Sequence, residues 1–210
     1  FFEGADLYVP AVTGVPAEAQ EDCLACLKSE AYYYGFSDSM IIAVPLANND
    51  DNCTAVNGVF RAFTATCGIS LLALSGKIPL RGGLDVGIAA QINDNEIYGP
   101  ALERAYYLES NVAQYPRFAI GRELIGHLSW VGANPSTSLP ALTAKERVKI
   151  CKEMICEDTD GIPMLDFCGT RVKETIGHLI DADIVKLARA FADTQYKAYS
   201  EEDDYKLASR

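Results

Sequence analysis

Leu80-Arg81-Gly82-Gly83-Leu84-Asp85-Val86-Gly87, followed by Ile97-Tyr98-Gly99-Pro100-Ala101-Leu102-Glu103-Arg104-Ala105-Tyr106-Tyr107-Leu108-Glu109, is the part of the chain whose reading decides the fold. Residues 80–91 carry three glycines and no helical period, which predicts a strand. Ile92-Asn93-Asp94-Asn95-Glu96 then has the composition of a hairpin turn. Gly99-Pro100 opens a helix, because proline presets φ at the first helical position, where its missing N–H has no partner to lose. A glycine-flanked strand beside such a helix start is also a common way for backbone to approach a phosphate.

Upstream, the apolar run from Tyr32 to Leu46 is broken by Gly35 and Asp38, and it is too short and β-branched for a helix. Two strands meeting at a tight turn are expected there. Val56, Val59, Phe60, Phe63, Cys67, Leu71 and Leu74 then recur at steps of three and four, with the Asp/Asn cluster at 48–52 as cap and Gly76 as stop. Downstream, Leu102, Ala105, Tyr106 and Glu109 share one helical face. Tyr115-Pro116 ends that helix before a strand at Arg117–Ile120. Strands alternating with packed helices predict an α/β or α+β sandwich.

Beyond Gly121 the pattern becomes predominantly helical, after a Pro, Ser and Asn loop between Gly132 and Pro140. Thr143-Ala144-Lys145-Glu146 reads as a capping box that starts a helix with Val148, Cys151, Met154 and Ile155 inward. Another helix follows Asp181–Asp183, with Ile184, Leu187, Ala188 and Phe191 on its stripe. Asp158-Thr159-Asp160-Gly161 fails as a calcium loop, since its glycine falls at the fourth position and no Glu stands at the twelfth; it is expected to be a β-turn.

The 210 residues are 49% hydrophobic, enough for one well-buried core. A net charge of −11 argues against nucleic acid or an anionic membrane as partner, because the phosphate interaction would be repulsive. The seven cysteines are odd in number and lie in apolar periodic segments, which points to a reducing, cytoplasmic setting. No uncharged apolar run reaches bilayer-spanning length, and no signal segment opens the chain. Cys23-Leu24-Ala25-Cys26 lacks the strand context of a redox motif. His127 and His178 are read as surface or helix-end residues, and Glu201-Glu202-Asp203-Asp204 as a solvated tail.

Phe36-Ser37-Asp38-Ser39, Arg81-Gly82-Gly83, Gly99-Pro100-Ala101-Leu102 with Tyr107-Leu108-Glu109, and Tyr115-Pro116-Arg117 together resemble the catalytic domain of class III nucleotidyl cyclases, in particular the divergent pyrimidine cyclases of bacterial Pycsar antiphage systems. The resemblance covers roughly residues 30 to 125. It implies an α+β fold with a ferredoxin-like, mainly antiparallel core over 1–125, and leaves 126–210 as a mostly helical C-terminal extension of the same domain. It further implies a homodimer that converts UTP, or else CTP, to the 3′,5′-cyclic monophosphate and pyrophosphate, and a separate effector activated by that product. The alternative is a catalytically inactive cyclase-homology module that dimerises or senses nucleotide.

Site roles follow from the same resemblance. Asp38 would hold Mg²⁺ or Mn²⁺, as one of two carboxylates for two divalent ions about 3.5 to 4 Å apart. On its own residues, Asp38 reads first as an acceptor for turn amides, the commoner role of a lone aspartate at a hairpin. The only early candidate for the other carboxylate, Asp6, precedes Asp38 by 32 positions, too few for the intervening helices, so the first strand is expected upstream of Phe1. Arg81 would grip phosphate through its planar fork, or else form a surface salt bridge. Tyr34 and Glu96 would face the base, tyrosine narrowing a purine-sized pocket to a pyrimidine. Where purine cyclases carry the helix Asn and Arg, this chain has Glu103 and Tyr107. Either Arg104 or Arg117 then supplies the missing cation, or the transition state is less well stabilised.

Overall fold

The computed structural model describes residues 31–36, 38–46, 55–93 and 96–201. The expected first turn is present: β1 (Tyr32–Phe36) and β2 (Ser39–Ala43) form an antiparallel hairpin whose register pairs Phe36 with Ser39 and so leaves a two-residue connection. The long helix α1 (Ala55–Ser75) follows, with Val56, Val59, Phe60, Phe63, Cys67 and Leu71 all buried. By length and composition Val56–Ser75 could cross a membrane, yet 61% of that window is buried inside the protein, as in a core helix.

The decisive stretch divides into a short strand and a separate hairpin. β3 (Gly82–Leu84) ends at Asp85, and after an irregular segment β4 (Ala90–Asn93) turns back into β5 (Glu96–Tyr98). Helix α2 (Pro100–Tyr107) starts directly after Gly99 and continues as one π-helical turn at Leu108–Val112. No α2 residue is fully buried, and Tyr106, expected on its inner face, is 68% exposed. What α2 does bury is backbone: a Cβ at Gly83 would collide with the Ala105 carbonyl and with Leu108, so Gly83 lets the helix lie directly on β3.

β6 (Phe118–Ile120) pairs in parallel with β3 and leads into α3 (Arg122–Gly132). Helix α4 (Leu139–Glu153) begins four residues before the expected capping box, with Ser138 at its N-cap position and proline in its first turn. Val148, Cys151 and Met154 are buried as expected. Two strands that the sequence pattern did not reveal come next: β7 (Ile155–Glu157) and β8 (Pro163–Leu165), joined by a turn at 158–162. They complete a four-stranded sheet in the order β3-β6-β8-β7, so the C-terminal part is sheet-forming as well as helical. Helices α5 (Thr170–Ile176) and α6 (Ala182–Glu201) close the fold. On α6, Ala188 is buried, but Leu187 is 57% exposed and lies off the stripe.

The protein is therefore α+β, and every strand pairing among the described residues is antiparallel except β3 with β6. One core joins α1, Ile120 of β6, Leu124 and Leu128 of α3, Val148 and Cys151 of α4, Leu165 of β8 and Ile176 of α5. α1 is central to it, packing against α4, α5 and α6.

The end of α1 contains one strained residue. The Ile78 amide donates to the Ala73 carbonyl and the Lys77 amide to Leu74, the paired bonds of a Schellman motif. Lys77, not Gly76, takes the left-handed conformation at φ 64°. Lys77→Gly is expected to raise the unfolding free energy by about 1 kcal/mol, measured by chemical denaturation, since the Cβ penalty at that φ disappears.

Candidate functional site

Asp85, at the end of β3, organises one face of the molecule. Its side chain is 2% exposed. One carboxylate oxygen accepts the Val86 amide at 3.0 Å and the Leu124 amide at 2.9 Å, and the other accepts Arg104 Nε at 2.7 Å. Asp85 thus caps α3 from a different element, supplying the acceptor that the N-cap residue Gly121 lacks. A Cβ at Gly121 would occupy the place of this carboxylate. Arg104, one helical turn into α2, also donates Nη2 to the Val86 carbonyl at 2.6 Å, so β3, α2 and α3 meet at a single ion pair.

Beside this junction lies an open cleft of about 470 Å³. Val86, Gly87 and Ile88 form one side, and Pro100 and Arg104 of α2 close an end. The remaining wall is the outer face of α3: Glu123, Gly126, His127 and Trp130, at positions i, i+3, i+4 and i+7. Trp130 is 74% exposed, with the His127 ring centroid 6.3 Å from its own. His127 Nε2 is buried without a hydrogen-bond partner among the described residues, and burial lowers the imidazole pKa below its ordinary 6.5.

The predicted residues lie on separate elements: the β1–β2 hairpin, the approach to β3, β5 and α2. Asp38 is exposed in the turn between β1 and β2, while Tyr34, expected to face a base, is buried at 7% exposure. Arg81 donates Nε to Glu109 at 2.7 Å, the surface salt bridge that was its alternative reading. Glu96 accepts a 2.8 Å hydrogen bond from Asn93 across the β4–β5 hairpin. Glu103 and Tyr107 point to solvent from α2. Of the expected site residues, Arg104 alone lines the cleft. The first free amide of α2, that of Ala101, donates to the Ile88 carbonyl. Ser37, Asp6, the Cys23–Cys26 pair, the 48–52 cap and residues 202–204 of the acidic tail lie outside the described residues. Among the described residues no group of three or more His, Cys, Asp or Glu side chains could hold a metal ion.

Arg117, the other candidate cation, has a structural role. It is buried, donating Nη1 to Asp158 at 2.7 Å and Nη2 to Asp160 at 2.8 Å and to the Val112 carbonyl at 2.8 Å. Asp158-Thr159-Asp160-Gly161 is the expected turn, here tied to β6 by that guanidinium. Burial works against the Asp158 charge, yet hydrogen bonds from Tyr115, the Thr159 amide and Arg117 outweigh it and hold its pKa low. Burial first, then Asp158, pushes Tyr115 up to about 12.

No protein-family model matches the chain, and no curated protein or solved structure matches it significantly.

Removing the Arg117 charge leaves Asp158 nearly buried with no counter-ion. Arg117→Met should therefore destabilise the fold by about 3 kcal/mol in chemical denaturation. Arg117→Lys should recover only part of this, because an ammonium cannot fork across two carboxylates. For His127, the unfolded chain takes up a proton before the folded one as pH falls below 6.5. Stability should thus be complete above that pH and decline as pH falls toward the folded value; His127→Gln should remove that part of the slope in a pH series of melting temperatures.

Proposed function

We propose that this chain is a class III cyclase-like domain that converts a pyrimidine nucleoside triphosphate, UTP in preference to CTP, to its 3′,5′-cyclic monophosphate. The product would serve as a second messenger to a separate effector in antiphage defence. The observation that carries the reading is the two-residue β1–β2 turn with an exposed Asp38, followed in order by helix α1, strand β3, hairpin β4–β5, helix α2 and strand β6. Asp38 stands at a hairpin tip, Gly83 lies under helix α2, and Gly99-Pro100 opens that helix, an arrangement that supports the reading. A ferredoxin-like core belongs to the same proposal, although the described strands fall into three separate sheets.

The Asp38 carboxylate is a hard, solvent-facing oxygen donor of the kind Mg²⁺ or Mn²⁺ prefers. The other carboxylate for two such ions would come from outside the described residues. When bound, they would neutralise charge on the triphosphate. The chain's own groups would do the rest. Arg81, on releasing Glu109, would take a phosphate oxygen bidentately. Tyr107 would offer a hydroxyl donor, Glu96 an acceptor toward the base edge, and the partner subunit would complete the site across a dimer. Arg104 would hold β3 and α2 in register beside that face.

Three observations favour the second reading, an inactive dimerising or sensing module: Arg81 is engaged by Glu109, Arg104 spends its Nε and Nη2 on Asp85 and Val86, and Tyr34 is buried. The two are separated by incubating the protein with each of the four NTPs and Mn²⁺ and resolving products by mass spectrometry. One cyclic pyrimidine nucleotide is expected, reduced to background by Asp38→Ala with the dimer retained. A cyclic purine would overturn the base assignment, and no product at all would favour the inactive module.

A further inference from the structure

Gly126 sits in the middle of α3, where glycine is a poor choice: it destabilises a helix interior, and nothing in the packing requires it. Apart from its chain neighbours and the helix's own backbone, no atom lies within 4 Å of the position a Cβ would take. The absent side chain would project into the cleft, beside His127 and one turn before Trp130. Trp130 is left as an uncovered indole at 74% exposure, and His127 Nε2 is buried without a partner among the described residues. A bare glycine floor beside an exposed indole is suited to a flat ring that stacks on the indole and lies across the backbone.

The polar groups at the rim narrow the choice. Arg104 is fixed by Asp85 and Val86, and its Nη1 makes no hydrogen bond among the described residues. Across the cleft, Glu123 is half exposed and, among the described residues, paired with its neighbour Arg122 at 3.4 Å alone. A fixed donor and a carboxylate acceptor on one cleft complement a ring edge that presents C=O beside N–H. We infer that this cleft binds a planar heteroaromatic ring with such a lactam edge, of nucleobase size, as a site separate from the Asp38 turn.

Trp130 is the single tryptophan of the chain, so its fluorescence reports on this cleft directly. The full chain is titrated, without metal, with uridine, guanosine, cytidine and adenosine. These nucleosides carry no triphosphate, so the result does not depend on whether the cyclase proposal holds. Saturable quenching by uridine and guanosine is expected, with cytidine and adenosine roughly tenfold weaker, the loss of about one satisfied hydrogen bond. Gly126→Leu, which fills the cleft from a helix-favouring residue, should abolish quenching while raising the melting temperature. His127→Ala should weaken it several-fold. Absence of saturable quenching, equal quenching by all four nucleosides, or quenching that survives Gly126→Leu would each overturn the inference.

Discussion

The buried Asp85 carboxylate is the constraint on which the functional face depends. A charge at 2% exposure is tolerable only when its oxygens are satisfied, and here two backbone amides and one guanidinium do so. Those three partners belong to the strand's own exit, to α3 and to α2, so satisfying one carboxylate fixes three elements. Gly121 and Gly83 follow from the same geometry: the first leaves room for the carboxylate and the second lets α2 approach β3 closely enough for Arg104 to reach it. The cleft is the space left beside this junction.

At the opposite end of the paired strands β3 and β6, Arg117 does comparable work. Its guanidinium joins the end of the π-helical turn through the Val112 carbonyl to the β7–β8 turn through Asp158 and Asp160. The sheet strands are only three residues long and contribute few ladder bonds each. Their positions are therefore set by α1 and the core beneath them and by the ion pairs of Asp85 and Arg117. Asp85 bears on the face where ligands can reach; Arg117 bears on the integrity of the sheet.

Much of this was legible from local pattern. The hairpin at 32–43 could be read because Gly35 and Asp38 interrupt a run too short for a helix, and α1 because its apolar residues keep a period of three and four over six turns. β7 and β8 escaped because a three-residue strand has no period to detect. The Thr143 capping box misplaced the start of α4, since Ser138 followed by Pro140 makes an earlier start available. Asp85 gave no local signal, as its partners beyond the neighbouring Val86 amide lie 19 and 39 residues away. His127 looked isolated in the sequence; the readable clue was the 123, 126, 127, 130 spacing opposite Leu124, Leu128 and Val131, with a glycine where a helix gains nothing from one.

The most direct test of the Asp85 junction is amide hydrogen exchange, resolved along the chain, for the wild-type protein and Asp85→Ala. Protection should fall together in 85–88, in the first turn of α3 and in α2, while α1 and α4, which make no contact with the carboxylate, keep theirs. Exchange that stays unchanged at α2 and α3, or that rises uniformly through the core, would contradict the view that one buried carboxylate sets this face of the protein.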